Sequence, residues 1–155
     1  MALPHYKSWA GLNKWLQECL CDDLKDRITY FLARYHKVHD SYGRAAIPLD
    51  GRELVCFSWI EMCRQEADGY SDKMKPKWDA NCTYCEMDFL NAVLEFRNLP
   101  IQNALASENY IIKILAILDK RIGKRTLEKI KQAEEYKQYP AWAGQFYELR
   151  LKEVK

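Results

Sequence analysis

The chain has 155 residues, 48% apolar and 30% charged, with a formal net charge of +2. That is length enough for one domain with its own core, and a composition too apolar and too evenly charged for wholesale disorder. The most apolar stretch, IIKILAIL, is far too short to span a bilayer, and the start of the chain lacks the basic-then-apolar layout of a secretory signal, so a soluble cytoplasmic protein is expected. Six cysteines would allow three disulfides, but a chain this rich in large apolar residues needs none, and reduced thiols are the expectation.

The first segment, HYKSWAGLNKWLQECLCDDLK, has an apolar stripe of Trp9, Leu12, Trp15, Leu16, Cys19 and Leu20 at spacings of three and four. This predicts an amphipathic helix over residues 1–24, capped by Ser8, with both tryptophans as core anchors. Residues 25–62 read as a three-stranded antiparallel meander. Asp50-Gly51 between two apolar runs is the strongest short hairpin signal, because a two-residue turn wants positive φ at both positions. The run from Arg27 to about Lys37 supplies the third strand, joined through a type I turn from Asp40 to Gly43. Pro48 has no N–H to give a ladder, which predicts that strand Arg44–Leu49 lies at an edge there or turns that position outward.

Residues 63–80 lose their periodicity and read as a loop. Residues 81–155 read as a layer of about four short antiparallel helices. The first opens with a Thr83–Glu86 capping box, and the second runs from a cap near Ser107 to Gly123. The third carries Leu127, Ile130 and Ala133 inward, and the last starts at Pro140 with Trp142, Phe146 and Leu149 on its inner face. The fold class expected is α+β in one domain.

Three constellations bear on chemistry. Cys82 and Cys85 form a lone CxxC whose thiols fall in the first turn of a helix, where the dipole lowers a thiolate pKa; zinc would need two further ligands. In RYHKVHDSYGR, His36 and His39 are an odd number of residues apart on a strand, which points them to opposite faces and disfavours a shared metal. Arg34, His39, Tyr42 and Arg44 remain as a candidate contact surface at one end of the sheet. The third is KRIGKRTLEKIK. Residues 1–109 are net −3 and residues 110–155 net +5, and Arg121, Lys124 and Arg125 cluster about Gly123. Further along, Lys124, Glu128, Lys131 and Glu135 alternate in sign down one helix face, as on a solvated, ion-paired surface. No phosphate loop, dinucleotide fingerprint, nucleophile elbow, HExxH or EF-hand motif occurs, and no cofactor is called for.

The patterns CDDLK, RYHKVHDSYGR, LDGRE and LDKRIGKRTL together resemble an uncharacterised family of small cytoplasmic bacterial proteins found in gut Firmicutes and in enterobacteria. The resemblance spans nearly the whole chain and implies a bacterial accessory protein. It also favours strands over residues 27–58 and brings with it no activity, cofactor or catalytic residue.

The leading expectation is a small non-catalytic binding protein that occludes or modulates a larger protein or ribonucleoprotein, such as an inhibitor of a bacterial defence nuclease (anti-CRISPR-like) or of a toxin. Ten tyrosines and the arginines above suit such a surface, since both residue types are enriched at interface hot spots. The alternatives are a thiol- or metal-dependent protein using Cys82 and Cys85, and a direct nucleic-acid-binding module.

Overall fold

The structure is a computed structural model that describes residues 8–34, 43–58 and 84–152. The fold is α+β: an amino-terminal helix, a three-stranded antiparallel sheet, then a bundle of short helices.

Helix α1 spans Trp9–Glu18, and the Ser8 hydroxyl accepts from the Gly11 amide at 3.1 Å, capping it as expected. Leu12 and Leu16 are buried, Trp9 meets Phe89 edge-on at 5.9 Å, and Trp15 packs against Phe96 at 6.0 Å. The helix stops six residues short of the expected end. Beyond Glu18 the chain is captured by a distant segment instead: Leu20 pairs with Asp119 as an antiparallel bridge, Cys21 N–H donates to Leu118 C=O, and Lys120 N–H donates to Cys19 C=O. Those long-range hydrogen bonds satisfy the backbone where an extended helix would have used its own carbonyls.

Strands β1 (Phe31–Arg34), β2 (Gly43–Leu49) and β3 (Arg52–Phe57) form the sheet in that order. The β2–β3 hairpin turns at Asp50 and Gly51, with φ of 52° and 81°, as that dipeptide predicts. Strand β1 begins at Phe31 rather than Arg27, although an Ile28–Leu49 bridge and a Thr29 N–H to Pro48 C=O hydrogen bond extend its alignment backwards; residues 35–37 of the expected strand lie outside the described residues. The expected type I turn falls on Asp40–Gly43, of which residues 40–42 lie outside the described residues.

Pro48 corrects the edge-strand expectation, since β2 is the central strand. The register slips between Ile47 and Pro48, from Ile47–Val55 to Pro48–Glu53, so Leu54 is the extra residue of a bulge. A bulge is where a central strand tolerates a residue without an N–H. The Leu54 carbonyl, displaced from the ladder, accepts from Gln145 Nε2 at 2.7 Å.

Helix α2 (Glu86–Asn98) lies against the sheet and carries Phe89, Leu90, Val93 and Phe96 into the core. Its start differs from the expected Thr83–Glu86 box. Cys85 is the N-cap, and Asp88 reaches back to accept from the Cys85 amide at 2.8 Å. Glu86 is buried and accepts from the Gly43 amide at 3.0 Å, tying the helix to the start of β2. With Cys85 as N-cap, Glu86 stands at the first helical position and Asp88 at the third, where the reciprocal carboxylate of a capping box belongs; Thr83 itself lies outside the described residues.

Helix α3 (Ile101–Leu105) is one short turn, and helix α4 (Tyr110–Ile117) follows. Asn109 caps α4, its Oδ1 accepting from the Ile111 and Ile112 amides, while Ser107 Oγ accepts from the Asn109 amide one step earlier. The helix ends at Leu118 rather than Gly123, and Gly123 instead begins helix α5 (Lys124–Ala133). A 3₁₀ turn (Glu135–Gln138) and helix α6 (Ala141–Leu151), entered through Pro140, complete the described chain.

The helices pack in sequence, α2 on α4, α4 on α3 and α6, and α5 on α6. The sheet joins them through an aromatic stack in which Phe57 lies parallel to Phe89 at 5.4 Å and edge-on to Trp142 at 5.7 Å. Trp142 is 1% exposed and also meets Tyr84 and Tyr110, so one side chain binds strand and helix layers into a single core. Among the described residues no helix is long and apolar enough to cross a membrane.

Candidate interaction surface

The α4–α5 connection, Leu118 to Gly123, is braced from three sides. From above, Asp119 folds its carboxylate back onto the turn, accepting from the Arg121 amide at 2.8 Å and from the Arg121 guanidinium at 3.0 and 2.9 Å. From the side, the Leu20–Asp119 bridge ties it to the chain after α1. From beneath, Arg150 of α6 reaches in from a site where it is only 7% exposed. Its Nε donates to the Ile117 carbonyl at 3.1 Å and its Nη2 to the Ile122 carbonyl at 2.7 Å. The last carbonyls of a helix have no partner within it, and a buried guanidinium with several donors is well matched to them.

This bracing divides the basic cluster. Arg121 is a structural clasp: its guanidinium forms a two-pronged ion pair with the fully buried Asp119 side chain and lies 5.9 Å from the Phe96 ring. Lys120, Lys124 and Arg125 are exposed on the same turn, and among the described residues none has an ion-pair or side-chain hydrogen-bond partner. Beside them opens a cleft of about 380 Å³ lined by Cys21, Asp22, Asp23, Lys120, Lys124 and Leu127, with Arg150 at its back. The charges around it are of both signs.

Of the sheet-end cluster, Arg34 and Arg44 fall within the described residues. Arg44 Nη2 pairs with Glu53 Oε1 across the hairpin. The register sets Arg34 opposite Gly43 and Ala33 opposite Arg44, so the two arginines stand one step apart along the ladder. His39 and Tyr42 lie outside the described residues, as do His36 and Cys82.

Cys85 departs from the expectation of an activated thiol. It does stand at a helix N-cap, yet burial pushes its thiol up from the ordinary value, and this outweighs the backbone amides that favour the thiolate. Burial and the nearby Asp119 carboxylate also push the Cys19 thiol up. Cys19, Cys21, Cys56 and Cys85 carry thiols rather than disulfides, and among the described residues no three His, Cys, Asp or Glu side chains are grouped to hold a metal.

One surface escaped the sequence reading. Tyr136, Tyr139 and Tyr147 come together with Lys113 and Lys129 around a groove between α4, α5 and α6. The only local signal is the spacing of three between Tyr136 and Tyr139. Tyr147 and Lys113 join them only through tertiary packing.

These features define a small α+β protein with a preformed basic turn projecting from its helical layer. The chain belongs to the SF0329 protein family, which matches residues 8–151. No curated protein and no solved structure matches it.

Proposed function

We propose that the protein is a small non-catalytic binding protein of the bacterial cytoplasm. In this reading it occludes or modulates a larger protein or ribonucleoprotein, and the Lys120–Arg125 turn makes the contact. The supporting observation is a turn held by Asp119, Arg150 and the Leu20 bridge, bearing three exposed cations, Lys120, Lys124 and Arg125, that have no side-chain partner among the described residues. A rigid cationic surface orders little on docking and steers an acidic surface towards it, which favours both affinity and rate. In its narrower form the partner is a defence nuclease or a toxin whose acidic working surface is covered by the bound protein, as an anti-CRISPR-like inhibitor would do.

The same cations would suit a nucleic acid, but Asp22 and Asp23 share the cleft with Lys120 and Lys124. Carboxylates beside the lysines repel a phosphate backbone and suit a protein surface of mixed charge better. Against the reading based on Cys82 and Cys85 stands the Cys85 thiol, whose pKa burial raises rather than lowers.

The test is purification of the tagged protein from its native host, beside the variant Lys124→Glu/Arg125→Glu, with and without nuclease treatment. A stoichiometric protein partner that resists nuclease and is lost with the variant supports the reading. Absence of any stoichiometric partner contradicts it, and recovery that depends on intact nucleic acid favours the nucleic-acid alternative.

A further inference from the structure

Helix α5 ends in a way that builds a second, unrelated surface. Glu134, just past Ala133, takes the left-handed conformation (φ 53°, ψ 15°), and the 3₁₀ turn that follows folds back against α6. Reversal there sets the Tyr136 ring parallel to Tyr147, at 6.1 Å and 3° between planes. Tyr139 meets Tyr147 edge-on at 5.2 Å and Tyr110 at 5.4 Å, and the Tyr139 and Tyr147 side chains are hydrogen-bonded to each other. Across the groove, Lys113 Nζ donates to the Leu105 carbonyl at 3.3 Å and sits 5.4 Å from the centre of the Tyr139 ring.

The resulting groove holds about 400 Å³, within the range of roughly 300–1,000 Å³ typical of small-molecule sites. Its walls are aromatic and aliphatic, with few charges: Lys113 and Lys129 against the single carboxylate of Glu135. Aromatic walls of this kind take a flat ring, by stacking or edge contact. They would also attract a quaternary ammonium, but here two lysines oppose one, and Lys113 already occupies the neighbourhood of the Tyr139 ring. Lys129 is exposed, and among the described residues it has no ion-pair partner. The charge balance therefore selects an anion.

We infer that this groove binds a small planar aromatic acid, its ring against Tyr136 and its carboxylate on Lys129. The site is separate from the partner contact at the α4–α5 turn and stands whether or not that reading holds.

Indole-3-carboxylate serves as the probe, followed by amide NMR on the full chain, with indole-3-carboxamide and tetramethylammonium as comparisons. Saturable shifts are expected at millimolar probe, centred on the end of α5, the 3₁₀ turn and the facing part of α6. Lys129→Gln should weaken the acid about fivefold, the upper range for loss of one exposed ion pair. Ala133→Trp, which fills the groove from an exposed position, should abolish binding; a folded spectrum of each variant serves as control, and the Lys129→Gln result decides the matter if Ala133→Trp does not fold. The inference is overturned by any of four results. These are no saturable shift up to about 10 mM, the weak end of useful ligand affinity, amide binding as tight as the acid, tetramethylammonium binding in its place, or unaltered affinity in folded Lys129→Gln.

Discussion

Arg150 carries a charge into the interior and stays there because two backbone carbonyls, from Ile117 and Ile122, receive it. Removing the guanidinium strands both carbonyls, and a buried unpaired acceptor costs about 1–3 kcal/mol. Arg150→Met should therefore lower the free energy of urea unfolding by about 2–4 kcal/mol, counting both carbonyls and the loss of packing. An unchanged midpoint would show that the α4–α5 turn does not need it. At the hairpin, Gly51 has φ of 81° and open space where a Cβ would stand. Gly51→Ala is then a pure backbone penalty, and about 1 kcal/mol of destabilisation is expected. Asp50 beside it accepts from Arg27 at 3.2 and 2.9 Å, and that guanidinium holds its carboxyl below the usual value. A folded-state pKa below the unfolded one means the pairing stabilises the fold above the unfolded pKa and is lost as pH falls through the folded one. Carboxyl NMR titration should place the Asp50 midpoint below an ordinary aspartate, and Arg27→Gln should return it to the normal range.

Among the elements, what the sequence reveals is what local chemistry decides. Ser8 and the stripe from Trp9 to Leu20 start a helix, Asp50-Gly51 makes a hairpin, and Pro140 opens the last helix, each by its own conformational preference. The misplaced boundaries are those set from far away. Helix α1 ends at Glu18 because residues 19–21 pair with 118–120, a contact spanning about a hundred positions that no window of sequence contains. Pro48 sits in a central strand because Leu54 bulges opposite it and Gln145 of α6 takes up the displaced carbonyl. Glu86 looks like a capping residue but is drawn inward by the Gly43 amide. At the basic turn, charge is legible and its use is not: Arg121 and Lys124 look alike in sequence, and only the buried Asp119 marks Arg121 as a clasp. For α4, Asn109 supplies the cap that the sequence reading placed near Ser107. Asn109→Ala should cost about 1 kcal/mol in thermal or urea unfolding, whereas Ser107→Ala, one hydrogen bond further out on the Asn109 amide, should cost less.

For the whole molecule, the two ends of the helical layer have different characters. The α4–α5 turn is held rigid by its neighbours and presents Lys120, Lys124 and Arg125 outward, while the opposite end of α5 folds into a tyrosine-walled groove. The stacked core of Phe57, Phe89 and Trp142 joins sheet to helices, and none of the three side chains lines the cleft beside the turn. That separation makes a clean comparison possible. The deciding measurement is the yield of co-purifying partner per mole of tagged protein for the wild type and for Lys124→Glu/Arg125→Glu, with circular dichroism confirming equal folding. If the braced turn is the contact, yield falls about tenfold or more with the variant, as expected for reversing two interfacial charges. Equal yields from two equally folded proteins would show that the turn is not the contact.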